Sequence, residues 1–218
     1  MLVVRTAVVG PFAANCYLVA CDETREALVL DPGGEESRVL RMLHPGDFRV
    51  GRIVCTHGHI DHVAGAHGLS ASTGAPVQIH ASDAPFLQAL PRQAEQFGFD
   101  PITPPAVGHF HADGETFALG RHQARILHTP GHTPGSCSLF FPADKVLFTG
   151  DTLFLGSVGR TDLVGGDFAA LERSIRDCLF GLGDDVRFFP GHGPGGLIGA
   201  ERQDNPFVGE KVPRGRFL

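Results

Sequence analysis

The spacing of hydrophobic and polar positions predicts strands in the first part of the chain. Apolar stretches at LVVRTAVV, NCYLVAC and EALVLD are separated by CDETRE and followed by DPGG, two segments typical of turns. A helix is predicted over EESRVLRMLH, because Val39, Leu40 and Leu43 recur at helical spacing behind an acidic first turn. The chain is therefore expected to begin with a group of strands and to continue into a helix.

Strands and helices alternate through the rest of the chain. Strands are predicted at GRIVCT, APVQIH, TFALG, HQARILHT, SCSLFFP, KVLFTG and VRFFPG, and helices at DHVAGAHGLSAST, SDAPFLQALPRQAEQFG, DFAALERSIRDCLFGL and from about residue 199. Pro91 is expected to kink or split the second of these helices, and the proline-rich residues 100–115 are predicted to form a loop. Two strand-rich halves, each followed by helices, indicate an α/β (α+β) fold in which two sheets pack face to face with helices outside.

Composition and charge limit the classes of protein to which the chain can belong. A chain of 218 residues with a hydrophobic content of 42% is expected to form one domain, residues 1–218. The net charge of −6 and the absence of a basic cluster argue against a nucleic-acid partner. Five cysteines without a C-x-x-C pattern favour a reducing cytoplasm over a disulfide framework. No apolar run reaches the roughly 20 residues that cross a bilayer, so no membrane partner is expected.

The segment CTHGHIDH, directly after the apolar run GRIV, is rich in groups that bind metals. Histidines two positions apart project from the same face of an extended chain, so His57 and His59 can chelate one ion. Asp61 and His62 follow where the chain is expected to turn into a helix, and they can serve a second ion.

Further segments place a histidine or an aspartate at the exit of an apolar strand. His132 lies in the loop of ILHTPGHTPGS, and Asp151 and His192 each follow a strand and a glycine in KVLFTGD and VRFFPGHG. A strand presents a ligand rigidly at its edge, and a glycine lets the backbone bend away from it. Together with residues 57–62, these positions supply enough imidazole and carboxylate groups for two ions that share one carboxylate.

Other candidate residues are more ambiguous. His109 and His111 also have chelating spacing, but they fall within the proline-rich segment, so we expect exposed loop histidines there. Asp31 in DPGG is open to two interpretations, a turn residue that binds backbone amides or a hydrogen-bond partner of a metal-binding histidine, and the second is favoured.

The H-x-H-x-D-H motif, followed by TPGHTPGS, FTGD and PGHG, resembles the metallo-β-lactamase superfamily across almost the whole chain. The resemblance implies a single-domain, four-layer αββα sandwich with the metal site at one end of its sheets. It implies one ion held by His57, His59 and His132, a second held by Asp61, His62 and His192, and a bridge formed by Asp151. Such ligands suit two divalent ions per chain, with zinc ahead of iron or manganese. Asp61 is also expected to orient the metal-bound hydroxide that attacks the substrate, which makes it the catalytic residue.

Two later segments indicate a branch of this superfamily. TLFLGSVGRTDLVGGD, after Asp151, and the tail segment ERQDNPFV resemble glyoxalase II-like small bacterial hydrolases. The resemblance implies hydrolysis of a small-molecule thioester or ester, as in hydroxyacylglutathione hydrolases. His62 is expected to set the chain apart from the β-lactamases proper. Only a short tail, residues 199–218, ends the chain, so no separate glutathione-binding domain is expected, and the oligomeric state stays open.

Two other functions stay open on the same motifs. Persulfide dioxygenases carry a related G-R-T-D string, here residues 159–162, and the resemblance to them implies a single iron among the positions of His57, His59, His132 and Asp151. A non-catalytic metal-binding module is the remaining alternative, although every ligand position is filled.

The pocket around such a site is harder to predict. Arg160 and Asp162 either bind a carboxylate of the substrate or pair with each other and brace their loop, and pairing is favoured. Phe12, Phe154 and Phe207 are expected to pack in the core rather than to line the mouth of the pocket.

Overall fold

The first sheet is built from the amino-terminal strands. In the computed structural model, which describes residues 1–217, it contains β1 (Leu2–Val9), β2 (Ala14–Cys21), β3 (Glu26–Leu30), β4 (Arg49–Val54), β5 (Val77–His80) and β6 (Val107–His111), in that spatial order. The first three strands are antiparallel neighbours, whereas β3 to β6 pair in parallel.

The second sheet is built from the later strands. These are β7 (Thr116–Leu119), β8 (His122–His128), β9 (Cys137–Phe141), β10 (Val146–Gly150), β13 (Arg187–Pro190) and β14 (Gly196–Leu197). Between β10 and β13 the chain forms a separate hairpin of β11 (Leu153–Phe154) and β12 (Ser157–Val158). The order in the second sheet is β14-β13-β10-β9-β8-β7, with β10 and β13 parallel and the other neighbours antiparallel.

Helices connect the strands and cover both sheets. They are α1 (Glu36–Arg41), α2 (Ile60–Val63), α3 (Ala66–Thr73), α4 (Ala84–Gln88), α5 (Leu90–Phe97), α6 (Phe168–Arg173) and α7 (Ile198–Asp204). A π-helical segment, Ser174–Leu179, continues α6 directly. None of the helices within residues 1–217 is long and apolar enough to cross a membrane.

Three apolar cores hold four layers together. Alternate side chains of β2 go to different cores: Leu18 packs with Leu69 and Leu90 beneath α1 to α5, whereas Val19 packs with Phe148 between the sheets. The third core packs the opposite face of the second sheet against α6 and α7. This period-two division of side chains confirms the predicted arrangement of helices, two sheets and helices.

Some predicted elements differ in their bounds. The segment 100–115, predicted as a loop, contains β6, because residues 107–111 pair in parallel with β5. The expectation of exposed loop histidines was therefore wrong for His111, which is buried, although His109 is exposed. The single helix predicted after GRIVCT is divided near Gly65, where a Cβ atom would lie 2.8 Å from the carbonyl oxygen of Pro32.

The strand directions place several strand exits at one edge of the sandwich. β8, β10 and β13 run in the same direction, because two antiparallel pairings separate β8 from β10 and a parallel pairing joins β10 to β13. β3 and β4 are likewise parallel. The segments after β4, β8, β10 and β13 carry the predicted metal ligands, and the loop after β3 carries Asp31; the structure brings these segments together.

Candidate metal centre

The H-x-H-x-D-H motif begins one turn after β4 and continues into α2. His59 has extended backbone angles, φ −71° and ψ 146°, and lies at the N-cap position of α2. Asp61 and His62 lie inside this short helix, and their ligand atoms cluster with that of His192, although the rings of His62 and His57 are only 4.2 Å apart. The change from extended chain to helix within the motif thus separates its side chains into two sets.

The first set combines His57, His59 and His132. One nitrogen from each ring lies within 4.8 Å of the others, and Nδ1 of His59 lies 2.9 Å from Nε2 of His132. Nδ1 of His132 donates to the carbonyl oxygen of Arg160 at 2.8 Å, which leaves its Nε2 as the available ligand atom. The structure therefore brings these three predicted ligands together.

His57 is oriented by its chain neighbour. The hydroxyl of Thr56 donates to Oδ2 of Asp31 at 2.7 Å and lies 3.1 Å from Nδ1 of His57, so it accepts from that nitrogen. Nε2 of His57 is buried and has no hydrogen-bond partner within residues 1–217. A buried imidazole nitrogen without a partner is expected where a metal ion takes the place of a hydrogen bond.

The second set combines Asp61, His62 and His192. Their ligand atoms also lie within 4.8 Å of one another. Nε2 of His192 lies 3.2 Å from both Oδ2 of Asp61 and Nε2 of His62. The loop of His192 crosses to the first sheet, where Asn15 Nδ2 donates to the carbonyl of Gly193 at 2.8 Å.

Asp151 lies between the two sets. Its Oδ2 is 3.6 Å from Nε2 of His132 and 3.6 Å from Nε2 of His192, and its Oδ1 is 3.5 Å from Nε2 of His62. Oδ1 is buried and lacks a hydrogen-bond partner in the described part of the chain. This position, facing histidines of both sets, is the one expected of a bridging carboxylate.

Two glycines make this close approach possible. Gly191 precedes His192, and a Cβ atom there would lie 2.1 Å from Oδ1 of Asp151. Gly150 precedes Asp151 with φ 48°, and a Cβ atom there would lie 2.5 Å from the hydroxyl of Thr56. Glycine is therefore required by sterics at both positions, and at Gly150 by backbone conformation as well.

Asp31 contacts His62 of the second set directly and His57 of the first set through Thr56. Its Oδ1 accepts from the backbone N–H of Thr56 at 2.7 Å, and its Oδ2 lies 3.1 Å from Nδ1 of His62. Through Thr56 it also orients His57. Asp31 thus contacts two of the predicted ligand histidines, directly or through Thr56, and it also binds a backbone amide.

Asp83 is a buried aspartate that the sequence did not single out. Its Oδ2 accepts from the N–H of Gly58 at 2.8 Å and from the hydroxyl of Thr133 at 2.8 Å, and its Oδ1 accepts from the N–H of Gly135 at 2.6 Å. One carboxylate therefore joins the loop of His57 and His59 to the loop of His132. No local motif marks it, because its partners lie 25 to 52 positions away along the chain.

Burial and charge shift the pKa values of His59 and His62, one from each set, in opposite directions. Burial, reinforced by neighbouring histidines, lowers the pKa of His57 well below its usual range and the pKa of His59 to about 4. In the second set burial would lower the pKa of His62, but the carboxylates of Asp151 and Asp61 outweigh it and raise that pKa. The pKa of Asp61 is lowered, because His62 and His192 outweigh the effect of burial.

The residues present fit a site for divalent metal ions. The donors are imidazole nitrogens and carboxylate oxygens, and two of them, Nε2 of His57 and Oδ1 of Asp151, are buried without a hydrogen-bond partner among residues 1–217. Such donors suit zinc, iron and manganese.

A cavity of about 910 Å³ opens onto these ligands. Its floor includes His59, Asp61 and His192, and its walls come from separate segments that carry apolar and basic side chains: Phe12, Phe86, Phe97, Phe154, Leu163, Val164, Arg92 and Arg160. The expectation of core packing was therefore wrong for Phe12, which is 41% exposed, and Phe154 also lines the cavity. Phe207 packs against the third core, as expected.

Arg160 and Asp162 pair with each other at the edge of the cavity. Nε of Arg160 donates to Oδ1 of Asp162 at 2.8 Å, and Nη2 donates to Oδ2 at 2.7 Å. Both side chains are exposed, so the pair contributes little to folding stability. The contact of Arg160 with the metal centre runs through its backbone carbonyl, which accepts from His132.

Known proteins resemble this chain over most of its length. "Hydroxyacylglutathione hydrolase GloC" of Haemophilus influenzae is 39% identical over 207 residues, which cover 93% of this chain and 96% of that protein. Among solved structures, BLEG-1 B3 metallo-beta-lactamase matches with a TM-score of 0.87 at 32% identity, covering 94% of this chain and 99% of the other. TTHA1623 in a di-iron-bound form matches with a TM-score of 0.83 at 33% identity, covering 94% and 100%.

A further structural match and the family profile agree with these. ETHE1 from Myxococcus xanthus matches with a TM-score of 0.81 at 27% identity, covering 96% of this chain and 86% of the other. The sequence profile described as "Metallo-beta-lactamase superfamily" matches residues 9–192, a span that includes every predicted metal ligand. The chain belongs to the metallo-beta-lactamase superfamily.

Proposed function

We propose that this protein is a dinuclear metallohydrolase that cleaves a small-molecule thioester or ester, in the manner of glyoxalase II-like enzymes. The observation that carries the dinuclear proposal is the position of Asp151, whose two oxygens face histidines of both ligand sets. Thioester hydrolysis is supported by the 39% identity with a protein named hydroxyacylglutathione hydrolase.

The protein side chains have distinct tasks in this proposal. One ion would be held by His57, His59 and His132, and the other by Asp61, His62 and His192. Asp151 would bind both ions. Two bound divalent ions would supply hydroxide at neutral pH and polarise the carbonyl of the substrate. Zinc is the first choice for both positions, with iron or manganese as the alternatives.

Asp61 is proposed as the catalytic residue. Its side chain is partly exposed to the cavity, and its Oδ2 lies 3.2 Å from Nε2 of His192 and 3.5 Å from Nε2 of His62. Because those histidines lower the pKa of Asp61, its carboxylate is ionised at neutral pH and accepts a hydrogen bond from the attacking water.

The cavity fits a substrate with an apolar portion next to the scissile bond. Phe86 lies against the ring of His59, with a centroid separation of 5.4 Å, and Phe97 and Val164 widen the apolar wall toward solvent. Arg92 and Arg160 are the basic residues of the lining, and Arg160 is neutralised by Asp162. An acyl group of a thioester would therefore bind among the phenylalanines, with its polar remainder toward solvent.

The second candidate function is that of a mononuclear iron persulfide dioxygenase. The observation in its favour is the structural similarity to ETHE1 at 27% identity, together with the G-R-T-D string at residues 159–162. Against it, the P-G-H-G string at residues 190–193 resembles the hydrolase form better. The open cavity above the ligands likewise favours an enzyme over a non-catalytic metal-binding module.

The deciding experiment measures metal content and activity on the same preparation. Protein purified without chelators or added metal is analysed by plasma mass spectrometry and then assayed with a hydroxyacylglutathione thioester, a β-lactam and a glutathione persulfide. About two ions per chain and thioester turnover are expected, with neither β-lactam cleavage nor oxygen uptake. The exposed-histidine variant His67→Ala is the control, and its metal content and rate should equal those of the wild type.

Three results would contradict the proposal. About one iron per chain with oxygen uptake on the persulfide would establish the dioxygenase instead. Faster cleavage of the β-lactam than of the thioester would assign the protein to the β-lactamase branch of the superfamily. Full metal content with no turnover of any of the probes would favour a binding module.

A further inference from the structure

A second cluster of potential ligands lies outside the active centre, where the two sheets are joined. β6, the edge strand of the first sheet, ends at His111, and β7, the edge strand of the second, begins at Thr116. The connection between them carries Glu115, and His109 lies two positions before the end of β6. None of these residues takes part in the contacts of the active centre described above.

His111 is the unexplained residue of this cluster. It is 3% exposed, and both Nδ1 and Nε2 are buried without a hydrogen-bond partner within residues 1–217. Buried imidazole nitrogens are almost always paired, because an unpaired nitrogen gives up its hydrogen bonds to water and gains none in return. Burial lowers the pKa of His111 to about 4, so the ring is neutral at pH 7 and a lone pair is free.

His109 and Glu115 complete a set of three donors with His111. One ligand atom from each residue lies within 4.8 Å of the others. Nε2 of His109 lies 2.8 Å from Oε1 of Glu115, and the rings of His109 and His111 are 5.8 Å apart at an angle of 77°. Two imidazoles and one carboxylate form a donor set that zinc accepts, with water completing a tetrahedron.

The backbone around the cluster is fixed before any ligand binds. The other carboxylate oxygen of Glu115 accepts from the N–H of Ala112 at 3.0 Å. The N–H of Gly114 donates to the carbonyl of Ile126 at 2.9 Å, and Asp113 accepts from the N–H of His128 at 2.9 Å. These contacts attach the turn to β8, so an ion would meet preformed geometry.

The local charge also permits a cation. Glu115 supplies the negative charge, and the nearby cation Arg52 is engaged elsewhere, since its guanidinium lies 4.5 Å from the ring centre of Phe117 and contacts Gln78 at 3.4 Å. His80, the register partner of His111 on β5, stacks on His128 at 4.2 Å and is not one of the three donors.

We propose that His109, His111 and Glu115 form an additional binding site for a zinc-like divalent ion, separate from the active centre. An ion there would join the end of the first sheet to the turn that starts the second. Its effect would be on the cohesion of the two sheets rather than on the chemistry at Asp61 and its neighbours. The site does not depend on which reaction the active centre performs.

The test counts ions and locates them on protein whose active centre is already loaded. Zinc chloride is titrated into the wild type and into His109→Ala, Glu115→Gln and the control His67→Ala by calorimetry at pH 7.5. His109 and His67 are both exposed histidines, so the two alanine variants are matched for loss of a surface imidazole. The expected result is one further ion in the wild type and the control, and binding weakened at least tenfold in the other two variants.

Crystals soaked in zinc chloride give the second readout. The proposal expects an anomalous peak at the zinc edge among the three side chains in the wild type, and none there in His109→Ala. It is overturned if no peak appears at that place in the wild type. It is equally overturned if His109→Ala and the wild type bind zinc with the same stoichiometry and affinity.

Discussion

Oδ2 of Asp31 lies 3.1 Å from Nδ1 of His62 and fixes which nitrogen of that ring faces the metal centre. With Nδ1 engaged by a carboxylate, Nε2 is directed toward Asp61 and Asp151. The same carboxylate orients Thr56 and, through it, His57. One aspartate outside both ligand sets therefore determines the orientation of a histidine in each.

The substitution Asp31→Asn tests this relationship. Asparagine tolerates the positive φ of 51° at this position, so the backbone is expected to persist. The amide cannot accept from Thr56 and His62 as the carboxylate does, and the affinity for metal should fall by about tenfold or more. Metal retained after dialysis against a weak chelator is the measurement.

Asp100→Asn is the control for this experiment, because Asp100 is exposed and lies outside the metal centre. Equal metal retention in Asp31→Asn and Asp100→Asn would show that Asp31 does not orient the ligands.

Asp61→Ala separates catalysis from metal binding. The first ligand set contains only histidines and the bridging Asp151, so at least one ion should remain bound. The turnover number is expected to fall by about 100-fold or more, since the acceptor of the proton of the attacking water is lost. Metal content and kcat are measured on the same samples, and a normal kcat in this variant would refute the assignment of Asp61 as the catalytic residue.

Asp83→Asn tests the connection between the two ligand loops. The carboxylate accepts three hydrogen bonds while fully buried, and an amide would turn one N–H group against a donor. The free energy of unfolding should fall by about 1–3 kcal/mol, as measured by urea denaturation. Asp100→Asn again serves as the matched exposed control, and a loss of the same size there would contradict the role of Asp83.

Arg160→Ala tests whether the exposed pair at the rim matters for the metal centre. The bond from His132 goes to the backbone carbonyl of Arg160, which alanine retains, so metal content should not change. The loss of the pair with Asp162 should alter the free energy of unfolding by less than about 1 kcal/mol. A rise in KM, with metal content and the free energy of unfolding both unchanged, would instead mean that the guanidinium contacts the substrate.

The sequence predicted which side chains come together at the candidate centre, because each is marked locally. His57, His59, Asp61 and His62 are contiguous, and Asp151 and His192 each follow a strand and a glycine, so their placement depends on short stretches of chain. Most of the strands and helices that make up the layers were likewise predicted from the local spacing of apolar residues. Such features are encoded within about ten residues.

The features that sequence reasoning missed depend on distant partners. Asp83 accepts a hydrogen bond from Thr133, which lies 50 positions away along the chain. Asn15 donates to Gly193, in the loop of His192, which lies 178 positions away. β6 forms only because β5 supplies hydrogen bonds to a segment whose composition is typical of a loop. His111 became a candidate ligand only once that pairing had buried it.

The outer walls of the cavity come from parts of the chain that hold none of the proposed metal ligands. Phe12 lies in the turn between β1 and β2, Phe97 at the end of α5, and Val164 in the stretch before α6, whereas the ligands lie in the loops after β4, β8, β10 and β13 and in α2. Substitutions in the walls can therefore accumulate without disturbing the reacting centre. A protein built this way can exchange one substrate for another over evolution while keeping the same chemistry.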